Sequence, residues 1–242
     1  MRDLDPMNAL HTSSPGPDRV FFGLAGAWFV VLTFVGFAPS FFLRADPEPL
    51  PVHLVVHGVV YSAWVVLFLV QVLLIARGRA RWHATLGIAS LVLLLLMIPV
   101  GFHVVLVKAA SGDKGADEAG FNLAQLSLGF VFAFTGIALR RRPHVHKRLM
   151  LFATTMLTVA AADRVAALLA LDDVRLFRKA LAVVPVLALV ARDAWIRRRM
   201  LVLDVASLAV MWLVLWFVVS DILFLRPAGE AVLRRLSAIF VG

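Results

Sequence analysis

Between Val20 and Leu225 the chain repeats one pattern: an apolar block, then a short break of charge, proline or glycine. The blocks lie at about 20–43, 52–76, 85–108, 121–139, 149–170, 176–191 and 201–225, close to the roughly 20 residues a helix needs to cross hydrocarbon. In lipid every backbone N–H and C=O must be satisfied within its own segment, so blocks of this length are expected to be helices. Composition agrees, with 62% hydrophobic and 16% charged residues, against about half and a quarter in soluble domains. The expected fold is therefore all-α: a polytopic transmembrane helical bundle of about seven spans over residues 20–225. Its expected location is the bacterial inner membrane, as a multi-pass protein in contact with the lipid bilayer.

The breaks carry the right chemistry. "RADPEPLP" (44–51) supplies prolines before the second block, "ASGDKGADEAG" (110–120) is a Gly/Asp-rich turn, and "RRRPH" (140–144) ends the fourth. Lys and Arg orient the chain. Arg77, Arg79, Arg81, Arg140, Arg141, Arg142, Lys147, Arg148, Arg192, Arg197, Arg198 and Arg199 fall in one set of connections; Arg44, Lys108, Lys114, Arg175, Arg178 and Lys179 fall in the other. Positive residues stay cytoplasmic, so the amino terminus is expected inside. Residues 1–19 are expected to be a disordered cytoplasmic tail, and 226–242 a short extracytoplasmic segment. The sixth block is the weakest, because its uncharged core, Ala180 to Ala191, is short and contains Pro185.

The net charge of +9 belongs to these connections and headgroups, so nucleic acid is not an expected partner. The absence of cysteine excludes disulfides, thiolate metal sites and cysteine nucleophiles. No lysine lies in a block interior, which excludes a retinal Schiff base. No P-loop, nucleophile elbow or H-E-x-x-H helix is present.

The informative residues are polar ones inside the blocks. In "PVHLVVHGVVYSAWVVLFLVQ" (51–71), His53, His57, Tyr61, Trp64, Phe68 and Gln71 share one helical face. Lipid cannot satisfy their polar atoms, so this face should turn into the bundle, making the second block a central helix. His103 follows the start of the third block by 18 residues, or roughly 27 Å, just past Pro99 and Gly101. That places it at the same outer end as His53 and His57. Asp163 and Arg164 fall at a similar depth, with Asn122 and Gln125 nearby.

Three readings of this outer layer follow. His53, His57, His103 and Asp163 can ligate a transition metal, since neutral imidazole suits zinc, copper and iron. Alternatively His57 and His103 can ligate a haem b iron from opposite sides, with Tyr61, Trp64, Phe68 and Phe102 against the macrocycle. Or the imidazoles lie near the headgroups, bond to water and loop backbone, and hold no cofactor. Asp163 and Arg164 read first as structural partners of other helices and second as an anion-binding or proton-relay element. Thr154, Thr155 and Thr158 are a polar exception at the midplane.

An internal echo runs through the inner connections. "RARWHATLG" (79–87) and "RPHVHKRLM" (142–150) align His83 with His146 and Leu86 with Leu149. Together "HGVVYSAWVVLFLVQVLLIARGRARWHATLG" and "HKRLMLFATT" resemble a group of uncharacterised bacterial multipass membrane proteins. Their hairpins similarly join a His-bearing helix, a late Gln and an interfacial His-x-x-Leu-Gly turn. The chain also looks distantly like cytochrome b561-type haem-binding bundles. That resemblance implies His57 and His103 as outer haem ligands and His83 and His146 as inner ones. His83 and His103, 20 residues apart, are roughly 30 Å apart along a helix, wider than stacked haems in a four-helix core need.

The expected function is a membrane redox or electron-transfer protein with a His-ligated haem or metal, its partner a quinone or another membrane redox protein. The alternatives are a structural or accessory subunit without a cofactor, or a small-molecule transporter. For the accessory reading, Gly23 to Gly26 with Ala25 and Ala27 form a small-residue face in the first block.

Overall fold

A computed structural model of the chain describes residues 17–111, 116–171, 175–197 and 202–214, together with Arg235. Its elements are helices: α1 (Pro17–Phe37), α2 (Val52–Ala76), α3 (Ala80–Ala110), α4 (Ala116–Ala138), α5 (Pro143–Leu157), α6 (Val159–Leu168), α7 (Arg175–Arg197) and α8 (Val202–Trp212). A π-helical turn, Ala38–Phe42, extends α1. No strand occurs among the described residues. The segments 1–16 and 226–242 of the expected tail and carboxyl-terminal segment lie outside the described residues, Arg235 excepted. So does the expected seventh block beyond residue 214.

Among the described residues, four helical stretches are long and apolar enough to cross a membrane: Asp18–Phe42, Val52–Ala76, Ala80–Ala110 and Glu118–Ala138. A fifth is formed if α5 and α6, bent by 50° to each other, act as one span. The chain is thus a helical membrane protein. α7 carries Arg175, Arg178 and Lys179 at one end and Arg192, Asp193 and Arg197 at the other, and is not among these stretches.

Local chemistry sets the boundaries. Pro17 opens α1 with Asp18 in its first turn, where a carboxylate complements the helix dipole, so the helix begins inside the expected tail. Gly78, at φ +72°, closes α2. Its N–H donates to Ile75 O at 3.0 Å and that of Arg79 to Leu74 O at 2.8 Å, a Schellman cap that sends the chain straight into α3. The bend at Thr158 also has a cause. Thr154 Oγ1 donates to Met150 O at 2.9 Å, and Thr158 Oγ1 to Thr154 O at 2.9 Å. Such back-bonding competes with the helical ladder and bends it.

Each helix packs on its chain neighbour from α1 to α5, and α7 closes against α5 and α6. The central helix is α5, not α2: Arg148, Leu149 and every residue from Leu151 to Leu157 are buried. α2 does turn Trp64, Val65 and Phe68 inward. Its other faces, with Val52, Val55, Val59, Val66 and Val70, remain exposed. The correction is physical: one polar stripe requires one packed side, and valines suit lipid on the rest.

Small residues permit two close crossings. A Cβ at Gly36 would lie 2.6 Å from Ala161 O, and one at Gly101 would lie 2.0 Å from Tyr61 Oη. The α1 small-residue face is partly spent within the chain too, because a Cβ at Gly26 would meet Leu69 at 3.0 Å.

Candidate functional site

The polar residues gather at the two ends of the bundle. At the end where α2 begins and α3 and α6 finish, the His53 and His103 rings meet edge to face with centroids 5.6 Å apart. His57 stacks on Tyr61 at 4.3 Å instead. Tyr61 donates its hydroxyl to Met97 O at 3.0 Å, held there by the missing side chain of Gly101. Trp64 is 2% exposed, and its Nε1 has no hydrogen-bond partner among the described residues; nor do His57 Nδ1 and Gln125 Oε1. Lys108 and Arg164 lie within electrostatic range of His57.

The common depth expected of His53, His57 and His103 is therefore realised, but not the expected arrangement. His103 has His53, rather than His57, as its ring partner. Asp163 is half-buried on α6. Among the described residues no group of three or more His, Cys, Asp or Glu side chains is close enough to hold one metal ion. His53, His57, His103 and Asp163 thus do not form a single donor set here.

At the opposite end, α3 and α5 bring His83 and His146 to a centroid distance of 6.2 Å. These are the two residues that the internal echo aligns. His146 Nδ1 lies 2.8 Å from Gly136 O on α4, so it carries the proton and leaves Nε2 as a lone pair. Gln71 on α2 orients the other ring. With its NH2 toward α3 it donates to His83 Nδ1 at 2.6 Å and His83 O at 3.2 Å, and its Oε1 sits 3.0 Å from Ser90 Oγ. The same Oε1 accepts from the Gly87 N–H at 3.1 Å, which with the His83 carbonyl fixes the amide in this orientation. His83 Nδ1 is therefore an acceptor, and the neutral ring carries its proton on Nε2.

Two imidazoles on one metal centre, each nitrogen about 2 Å from it, place ring centroids roughly 5–6.5 Å apart. Both histidine pairs meet that separation. Were a metal or haem bound, the residues to hold it would be His83 and His146 at one end or His53 and His103 at the other.

The end with His83 and His146 also holds a network that sequence reasoning missed. Arg148, Asp193 and Asp204 are each 1% exposed in their side chains. Arg148 Nη2 pairs with Asp193 Oδ2, and its Nε lies 3.0 Å from Asp204 Oδ1. Its Nη1 donates to His144 O at 3.0 Å. From Asp193 the chain continues to Arg192 at 3.3 Å, from Arg192 to Asp18 at 2.5 Å, and from Asp18 to Lys147 at 2.5 Å. Acid and base alternate from Asp204 on α8 through α5 and α7 to Asp18 on α1. Lys147 and Arg192 also lie over the Phe22 and Phe21 rings at 5.3 and 5.6 Å. Three basic residues counted as loop charges are thus paired within helices. The available signal was Asp193, alone among the Arg residues of its connection.

Comparison with protein-family models, curated proteins and solved structures finds no match to this chain.

Proposed function

We propose that the chain is a seven-span inner-membrane redox protein, amino terminus inside, whose paired histidines hold haem b or a transition metal. The observation that carries this reading is the His83–His146 pair at 6.2 Å, with His146 Nε2 freed by the bond to Gly136 O. Such a group, when bound, supplies one-electron chemistry. The protein's own part is orientation: Gly136 and Gln71 set the inner rings, while His53 and His103 form the outer pair. α3 contributes one histidine to each pair, His83 and His103, roughly 30 Å apart along the helix. That spacing suits two centres at opposite membrane faces better than two stacked in one core. A quinone or a membrane redox protein is the expected partner at either face.

Seven passes are consistent with the ends that meet. The start of α1 joins the ends of α2 and α7 and the start of α5, through Arg19–Ala76 at 3.4 Å and the Asp18 ion pairs. The excess of arginine at this end favours the cytoplasmic side.

An absorption spectrum of detergent-purified full-length protein, oxidised and then dithionite-reduced, tests the reading together with metal analysis. A Soret band, or stoichiometric iron or copper, is expected. Protein without either overturns it. The second reading, a cofactor-free accessory subunit, is favoured by the direct contact of the rings within each pair. It predicts colourless, metal-free protein whose His146→Ala variant loses co-purification of a partner.

A further inference from the structure

Two hairpin tips stand side by side at the end that holds the Arg148 network. The apolar stretches Val52–Ala76 and Ala80–Ala110 stop on either side of residues 77–79, and Glu118–Ala138 stops just before 139–142. Both tips therefore emerge where hydrocarbon gives way to headgroups, a depth marked also by the exposed ring of Trp82. They carry Arg77, Arg79, Arg140, Arg141 and Arg142, with Arg81 in the first turn of α3, and all of these are exposed. The contact between His83 and His146 fixes how close the tips come. Arg79, the residue before α3, accepts from the His83 N–H at 3.1 Å, and Arg142, the residue before α5, accepts from the His146 N–H at 2.9 Å. Each arginine thus stands one turn before a ring whose partner is 6.2 Å away, on the same helix face. Helices in contact run about 8–10 Å apart, a gap that two arginine side chains can close around one ligand.

None of these arginines makes an ion pair among the described residues, and Arg140 donates to the Ile137 carbonyl at 3.4 Å. The nearby carboxylates are taken: Asp18 pairs with Lys147 and Arg192, while Asp193 and Asp204 pair with Arg148. Arg79 and Arg142 also face the positive ends of two helix dipoles, and neither helix start has a side-chain cap to offset them. Such a cluster repels itself unless an anion from outside the fold joins it. At this depth the abundant anion is lipid phosphate, whose oxygens a guanidinium fork matches two at a time. We propose that the two tips form a binding site for a phospholipid headgroup carrying two phosphates, with Arg79 engaging one phosphate and Arg142 the other. The proposal does not depend on the redox reading, because the histidine contact serves only to set the distance between the tips.

The test uses full-length protein in detergent, with native mass spectrometry reading retention of cardiolipin, phosphatidylglycerol and phosphatidylcholine offered in equal amounts. Wild-type protein should retain cardiolipin tenfold or more over phosphatidylcholine and ahead of phosphatidylglycerol. Arg79→Gln with Arg142→Gln should lower cardiolipin retention tenfold or more, while Arg44→Gln at the other end of the bundle leaves it unchanged. Either single variant should reduce cardiolipin to the level of phosphatidylglycerol. Arg79→Lys with Arg142→Lys keeps the charge without the forks and should fall between; it carries the comparison if the glutamine pair does not fold. Equal retention of cardiolipin and phosphatidylglycerol by wild type would overturn the assignment of two phosphates. A folded double variant that keeps the cardiolipin preference would overturn the role of the arginines. Absence of any lipid preference, with an acidic protein co-purifying only with wild type, would overturn the lipid and assign the patch to that protein.

Discussion

Arg148 Nε and Asp204 Oδ1 sit 3.0 Å apart with both side chains sealed from solvent, joining the central helix α5 to α8. Asp193 takes the other edge of the same guanidinium. A buried pair stabilises little relative to apolar residues, but breaking it leaves a charge stranded at about 3–5 kcal/mol. Arg148→Met should therefore lower the melting midpoint sharply, as read by thermal size-exclusion in detergent. Arg148→Met with Asp204→Leu should recover part of that loss. A single variant as stable as wild type would refute the structural role.

Gly101 is required by Tyr61. A methyl at position 101 would lie 2.0 Å from the tyrosine hydroxyl, which donates to Met97 O. Gly101→Ala should destabilise by about 1–3 kcal/mol, the range for overpacking. Adding Tyr61→Phe, which removes the clashing oxygen, should relieve most of it. A double-mutant cycle on thermal midpoints measures the coupling; additive effects would show that the two residues do not meet.

Asp46 lies in the exposed connection before α2. The backbone N–H of Glu48 and then the Arg44 guanidinium hold its carboxyl below the ordinary 3.8. A depressed folded value means the loop interaction is present above the unfolded value and lost as pH falls through the folded one. Carbon-13 NMR titration should place the Asp46 midpoint below 3.8. Arg44→Ala should raise it only partway, since the Glu48 N–H remains. A midpoint unmoved by Arg44→Ala would remove arginine from the account.

The two histidine pairs should titrate cofactor independently under the redox reading. His146→Ala should remove the inner centre and His103→Ala the outer, each lowering bound haem or metal by about half relative to wild type if both ends are occupied. Loss of all cofactor in either variant would argue for one site. No change in either would exclude these pairs as ligands.

The all-helical architecture and its first four long apolar helices were legible in the sequence because the bilayer imposes a length and a polarity that each segment must meet alone. The inward face of α2 follows from residues within a few positions of one another. So does the common depth of His53, His57 and His103, which is arithmetic along antiparallel helices. Partnership was not legible. His103 meets His53 rather than His57, and Asp18 meets Lys147 and Arg192 across 129 and 174 residues. Helix rotation and crossing decide such contacts, and they depend on small residues such as Gly36 and Gly101 letting particular backbones approach. For the same reason α5, whose sequence opens with "PHVHKR" and looks amphipathic, became the buried centre. Its arginine found carboxylates on two helices that only the assembled bundle brings beside it.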